Sequence, residues 1–323
     1  MIKLAKNVSL KKYSHFKIGG QADFFVEPKN LEELKEVLEK AKKEGMKKIF
    51  ILGGGTNMLF DDKGFRGLVI RPVFNKIEAS EISPDDIEVK AGSGLLVGEL
   101  LNFCVEKNLS GLEWAGGLPG TLGGAVRGNA GAFKGEIKDS VIKVISFNLT
   151  NGKITERKNK ECDFYYRTSI FKKKGNNALS NKELIIEVVL ALKKGNGENI
   201  KNSILEKINY RHLRQPLNYP NIGSIFKNVN IEKVPQATLE LSEKEIKTDP
   251  FPVVPAAFLI SEAGLKGKKI GGAKISEKHP NFIINFSGRA KSSDVKKLIS
   301  FVKKKIFSKF SIYLEEEVVY LKP

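Results

Sequence analysis

Residues Gly111–Gly135 read GLEWAGGLPGTLGGAVRGNAGAFKG, and nine of these twenty-five positions are glycine. Glycine averages roughly 7% of globular chains, so the backbone itself is the working part of this stretch. Glycine reaches positive φ without strain and lets another group approach the main chain closely. Turns at Gly116, Gly117, Pro119, Gly120, Gly123 and Gly124 are expected to expose consecutive N–H groups, the arrangement by which backbone nests and helix N-termini hold phosphate oxygens. A glycine-rich surface loop is the plainer alternative while this stretch is taken alone.

A second glycine turn lies upstream, where a buried strand, Lys48–Leu52, runs into Gly53-Gly54-Gly55-Thr56-Asn57. Neither common nucleotide signature is present. GGGTNML has no P-loop lysine, and Gly92-Ser93-Gly94 is followed by Gly98, one residue too late for GxGxxG.

With 323 residues, 41% of them hydrophobic and 28% charged, the chain is long enough for two or three domains of ordinary globular composition. No apolar run approaches a membrane span, and the first residues, MIKLAKNVSLKKYSHF, lack the apolar core of a signal peptide. A cytoplasmic protein without membrane insertion is expected. Cys104 and Cys162 are too few for a disulfide framework, and His15, His212 and His279 lack metal-ligand spacing, so no metal centre is expected. The formal charge of +18 suits nucleic acid or a polyanionic small molecule. The lysines are spread over helix faces without a basic-aromatic module or helix-turn-helix spacing, which favours the small molecule. No obligate protein partner is evident.

Along the chain, Asn30 and Glu33 resemble a capping box that opens a helix with Leu31, Leu34, Val37, Leu38 and Ala41 on one face, ended by Gly45. Leu95–Lys107 reads as an amphipathic helix, and Asn151-Gly152 as a hairpin turn between Lys143–Leu149 and Lys153–Arg157. Phe164–Phe171, FYYRTSIF, places an arginine among aromatics, and its plainer alternative is a packed strand in which Arg167 caps a carboxylate. Glu183–Leu192 is another strand, and composition shifts at Lys193–Asn199. A helix over Ile200–Ile208 leads into RHLRQPLNYPNIGSIFKN, read as a loop because its prolines exclude a continuous helix. Later come a helix over Val254–Gly264 and a strand over Asn281–Phe286. A helix capped by Ser292 or Ser293 follows, then a strand over Ile312–Leu321. Alternation in that last strand puts Glu316 on one face and Glu315 with Glu317 on the other.

Taken together, several stretches resemble the UDP-N-acetylenolpyruvoylglucosamine reductase family of flavoenzymes. They are FKIGGQAD (Phe16–Asp23), ILGGGTNMLFDDKGFRGLVI (Ile51–Ile70), AGSG (Ala91–Gly94) and LSGLEWAGGLPGTLGGAVRGNAGAF (Leu109–Phe133). YRTSIF (Tyr166–Phe171), RQPLNYPNIGSIFKN (Arg214–Asn228), LISEAGLKGKKIGGAKISEKHPNFIIN (Leu259–Asn285) and LEEEV (Leu314–Val318) follow in order. The resemblance implies an α+β chain: a two-subdomain FAD-binding region of the p-cresol methylhydroxylase/vanillyl-alcohol oxidase type plus a C-terminal α+β substrate domain. The expected boundaries are 1–71, joined by the C-terminal strand 311–323, then 72–195, then 196–310. The short Lys193–Asn199 segment is similar to the shorter subfamily, which lacks an inserted tyrosine loop. Three positions depart from the family pattern: Gly128 for methionine, Ser14-His15 for the usual polar pair, and Val229 for proline.

The implied activity is reduction of UDP-N-acetylglucosamine enolpyruvate, with NADPH as hydride donor and non-covalent FAD as carrier. By motif match, Arg167 stabilises the charge that develops on the substrate carboxylate, Glu317 assists it, and Ser224 donates the proton. The match assigns FAD to Gly53, Gly54, Gly55, Thr56 and Asn57, to Pro119, Gly120, Thr121, Gly124 and Ala125, and to Asn129 and Ala130. Tyr166, Arg211, Arg214, Lys227, Asn228 and His279 are the implied substrate contacts. Another oxidase or dehydrogenase on the same scaffold, and a basic nucleic-acid-binding protein, are the competing readings.

Overall fold

Glu183–Lys194, ELIIEVVLALKK, is a twelve-residue strand because its β-branched and leucine-rich run is apolar on both faces, as a central strand requires. A computed structural model describes residues 2–172, 182–249 and 251–323, and within it this strand is the spine of a six-stranded antiparallel sheet. Val141–Asn148 pairs on one side and Asp86–Gly92 on the other, with Ile154–Lys158 and Ile77–Glu81 outermost. Leu109–Ser110 pairs with the strand's C-terminal end.

The chain divides into two compact units. The first comprises residues 2–8, Ala22–Gly54 and Arg66–Arg211, and contains that sheet. It also holds a four-stranded sheet in the order Ala5–Ser9, Gln21–Val26, Phe65–Ile70, Ile49–Ile51, the last pair parallel. Helix α1, Leu31–Lys43, covers the four-stranded sheet with Leu34, Val37 and Ala41 buried. Asn30 Oδ1 accepts from Glu33 N at 2.9 Å, while the Glu33 carboxylate accepts from Lys29 N, one residue earlier than a reciprocal box needs. Helix α2, Val97–Glu106, and the short helix α3, Leu122–Gly128, pack into the core of the six-stranded sheet. Cys104 lies in that core, and burial pushes its thiol up to about 12, so it is an inert packing group.

Three local expectations change. The hairpin loop is five residues, Leu149–Lys153, because Asn148 Oδ1 accepts from both Thr150 N and Asn151 N and turns the chain one step early. Phe164–Phe171 is not a strand: Tyr165 and Thr168 close a two-residue turn by a reciprocal pair of hydrogen bonds. Helix α4 runs Gly197–Arg214, longer than the apolar pattern suggested, and stops two residues before Pro216. Arg211 and Arg214 therefore project from a helix rather than a loop.

The second unit comprises Ser9–Gln21, Gly55–Phe65 and His212–Pro323. Its helices are α5, Gln236–Ser242, α6, Ala256–Glu262, and α7, Ser292–Phe310. Val295, Leu298, Ile299, Val302 and Ile306 of α7 face a core that also takes Ile225, Phe226, Leu259 and Ile283. The C-terminal strand is short, Val319–Leu321, and pairs parallel with Met58–Phe60.

The cap of α7 comes from a distant loop rather than from its own serines. Asp62 accepts from Ser292 N at 2.8 Å, Ser292 Oγ at 2.9 Å and Ser293 N at 3.3 Å, satisfying donors that a helix start leaves open and placing negative charge on its positive end. Replacing Asp62 with alanine is expected to cost about 1–2 kcal/mol, read as a lower urea midpoint with unchanged slope. Asp62→Asn, which keeps the acceptor, should recover about half of it.

Candidate active site

In the first unit the two glycine stretches meet. A β-carbon on Gly54 would stand 2.6 Å from Gly120 Cα, and one on Gly53 would stand 2.9 Å from Thr121 Oγ1, so only glycine lets these main chains touch. Among the described hydrogen bonds none uses the N–H of Gly53, Gly54, Gly55 or Thr56. Here is a run of backbone donors fit for phosphate or flavin oxygens. The donors opening α3 are spent internally: Leu122 N on Leu95 O, Gly123 N on Ser93 O, and Gly124 N on Thr121 Oγ1. Pro119 is exposed beside them, while Ala125 packs into the core.

Gly116 and Gly117 serve a different purpose from the expected turn. Added β-carbons there would meet Ile204 O at 2.6 Å and Arg211 Cδ at 3.0 Å. They seat α4, and with it the side chain of Arg211.

Asn129 ends α3 in a left-handed conformation, fully buried, and its carboxamide donates to Tyr165 O and accepts from Lys138 N. Ser169 Oγ donates to Arg127 O at 2.8 Å. These two bonds pin the Tyr165–Thr168 turn to α3. The backbone N–H of Ala130 is likewise used, on Ala125 O. Arg167 sits in the turn with φ 57°, where glycine is the usual occupant, and Nη1 donates to Gly131 O at 2.8 Å. Strained backbone at a charged residue is a mark of a functional position. Its guanidinium lies 5.5 Å from the centre of the Tyr166 ring.

Arg211 is 9% exposed; its Nε donates to Gly116 O, and its Nη2 is buried without a hydrogen-bond partner. Burial, and then the charge of Arg167, press its pKa below the usual arginine range. A buried cation in this setting is stabilised by an anionic oxygen at Nη2. The first unit therefore brings Arg167, Tyr166 and Arg211 together.

In the second unit the extended segments that carry Ser224 and Glu317 run side by side, outside the regular strands. Ser224 bridges Phe282, Phe226 bridges Glu316, and Glu317 N donates to Ile225 O at 2.8 Å. Asn57 Nδ2 donates to Glu317 O at 3.1 Å, tying the end of the GGGTN loop to this pair. His15 N donates to Gly55 O, and Ser14 Oγ accepts from Phe16 N, so the departing Ser14-His15 pair shapes the same loop. Glu315 and Glu316 turn to different partners. Glu315 pairs with Lys227, whereas Glu316 accepts from Lys303 Nζ at 2.8 Å and from the Tyr320 hydroxyl. Burial and Glu316 push the Tyr320 pKa well above its usual range, so it stays a donor. Asn228 Oδ1 accepts from Ala256 N, capping α6, and Arg214 is exposed.

Two residues went unread in the sequence. Asn281 is 2% exposed and holds the Ser224 segment with three bonds: its carbonyl to Ile225 N, its Oδ1 to Phe226 N and its Nδ2 to Phe226 O. An asparagine inside an apolar strand pattern was the available signal. Phe133 lies over Arg211, with its ring centre 5.3 Å from the guanidinium carbon.

His279 packs edge-on against Phe282 with ring centres 4.7 Å apart, and Nδ1 is buried without a hydrogen-bond partner. Burial, then the charge of Lys247, lowers its pKa to about 4, so the imidazole is neutral at physiological pH. The unfolded chain binds this proton near 6.5 and the folded chain only near 4, so stability is lost as pH falls through that window. Each pH unit there should cost up to about 1.4 kcal/mol. Unfolding midpoints between pH 7 and pH 4 should fall more steeply for the parent than for His279→Gln; parallel curves would refute the assignment.

With this geometry in place, comparison with known proteins is informative. The family described as "UDP-N-acetylenolpyruvoylglucosamine reductase, C-terminal domain" matches residues 215–321, and the family "FAD binding domain" matches residues 22–157. The UDP-N-acetylenolpyruvoylglucosamine reductase of Clostridium novyi is 37% identical over 315 residues, covering 98% of this chain and 91% of that one. That of Anoxybacillus flavithermus is 38% identical over 313 residues, covering 97% and 92%. The crystal structure of the Thermus caldophilus UDP-N-acetylenolpyruvylglucosamine reductase superposes over 100% of both chains with a TM-score of 0.75 and 29% identity. At this identity over nearly its whole length, the chain belongs to the UDP-N-acetylenolpyruvoylglucosamine reductase family.

Proposed function

We propose that this protein reduces UDP-N-acetylglucosamine enolpyruvate to UDP-N-acetylmuramate, a step of peptidoglycan-precursor synthesis carried out in the cytoplasm. The observation that carries the reading is the pair of bridged segments that sets Ser224 close in the backbone to Glu317 in the second unit. The unpartnered N–H run at Gly53–Thr56, closed against Gly120 and Thr121 in part, fits the FAD that the matching FAD-binding family implies. FAD, when bound, supplies the two-electron store that takes hydride from NADPH and delivers it to the methylene carbon of the enol ether.

The chain's own residues do the rest. Arg167 meets the substrate carboxylate, where negative charge accumulates as hydride arrives; a preorganised cation there is worth several kcal/mol in a water-poor site. Glu317 assists that stabilisation. Ser224 Oγ gives its proton to the carbon bearing the ether oxygen, a transfer open to so weak an acid because the charged enolate is a strong carbon base. Arg211 and Arg214 supply positive charge for the pyrophosphate, with Tyr166 and neutral His279 as further contacts, while Lys227 is held by Glu315. Asn228 acts indirectly, through α6.

The test is anaerobic. NADPH should bleach the oxidised flavin band of the holoenzyme, and the enolpyruvyl UDP-sugar should restore it. Bleaching without restoration would point to another dehydrogenase on the same scaffold, and a protein that cannot be loaded with FAD would end the proposal. Ser224→Ala should bleach normally while restoring the band about 10²–10⁴-fold more slowly; an unchanged rate would remove Ser224 as the proton donor.

A further inference from the structure

Phe133 and Lys134 form a two-residue loop joining Gly131–Ala132 to Gly135–Glu136, in the register Ala132↔Gly135 and Gly131↔Glu136. Both have positive φ, 51° and 66°, the pattern of a type I′ turn, whose usual occupants are asparagine and glycine. An aromatic residue is strongly disfavoured there. What the strained turn achieves is visible in where the ring goes. Its centre lies 5.3 Å from the Arg211 guanidinium carbon and 5.7 Å from Lys207 Nζ, and Tyr210 meets it edge-on at 5.2 Å.

Arg211 is buried, its Nε is held by Gly116 O, and the charged neighbour acting on it is another arginine. A carboxylate in place of the ring would neutralise the guanidinium and occupy its N–H donors. The ring face stabilises the cation electrostatically but takes none of them. Nη2 stays without a partner, in a buried setting where an anionic oxygen would bind strongly.

We infer that Phe133 is a positioning residue: its ring, aimed by the strained turn, holds Arg211 desolvated and fully charged so that Nη2 grips an anionic oxygen of the UDP-sugar. The identity of that anion rests on the proposed reaction; the Phe133–Arg211 coupling does not.

The experiment measures binding of UDP-N-acetylglucosamine enolpyruvate to the oxidised holoenzyme by calorimetry, without NADPH, so that no turnover enters. Phe133→Leu should bind about 5- to 10-fold more weakly, with unchanged flavin content, and Phe133→Tyr, which keeps the π face, within about twofold of the parent. In an Arg211→Leu background the same Phe133→Leu change should alter affinity less than about twofold, because the ring acts through the cation. Unchanged affinity in Phe133→Leu, equal losses in both backgrounds, or a tyrosine variant as weak as the leucine one would each overturn the inference. Should the leucine variant fail to fold, Phe133→Met takes its place under the same criteria. A parent enzyme that binds no UDP-sugar contradicts the proposed reaction instead, and the same cycle read with inorganic pyrophosphate then decides the Phe133–Arg211 site by itself.

Discussion

A buried asparagine, Asn281, makes the hydrogen bonds on which the placement of Ser224 in the second unit depends. Its three hydrogen bonds lay down the segment from Ser224 to Lys227, and that segment in turn receives LEEEV. Asn285, four residues on and equally buried, does the same for another segment, donating to Phe16 O and accepting from Ala290 N. Isolated polar groups in such a core would cost a few kcal/mol each. Fully paired, they specify one register where apolar packing alone would tolerate slippage.

The first unit relies on the opposite condition. Arg211 is a cation withdrawn from water beside Arg167, and burial has already penalised its charge. A buried cation whose Nη2 has no hydrogen-bond partner favours an anionic oxygen beside it. In the second unit His279 is kept neutral by burial and by the charge of Lys247. Lys227 and Lys303, by contrast, are held by Glu315 and Glu316 and stiffen the paired segments.

Much of this was legible in residue order, and the failures have identifiable causes. Asn30 and Glu33 announced α1 because a cap and its helix are neighbours in sequence. The cap of α7 escaped notice because Asp62 lies 230 residues before Ser292. Proline and glycine in RHLRQPLNYPNIG argued for a loop, yet α4 persists to Arg214, since Pro216 restrains only the residue before it and the preceding turn remains free to be helical. Glycine content marked Gly111–Gly135 as backbone-active but could not apportion it: Gly120 faces the other glycine loop, whereas Gly116 and Gly117 seat a helix.

The sequence by itself determined the chemistry of the chain: which residues carry charge, which strands run apolar, and which ordered motifs make it a member of its reductase family. Those properties belong to side-chain types and to spacings within one element, so they need no partner. Only the tertiary structure decided that Asn129 is consumed in holding the Arg167 turn, that Glu316 answers Lys303 and Tyr320, and that an aromatic ring sits where Arg211 might have met a carboxylate. The Asn129–Tyr165 and Phe133–Arg211 contacts join groups distant in the chain, and the free energy that selects all of these pairings comes from burial that exists only once the chain has folded.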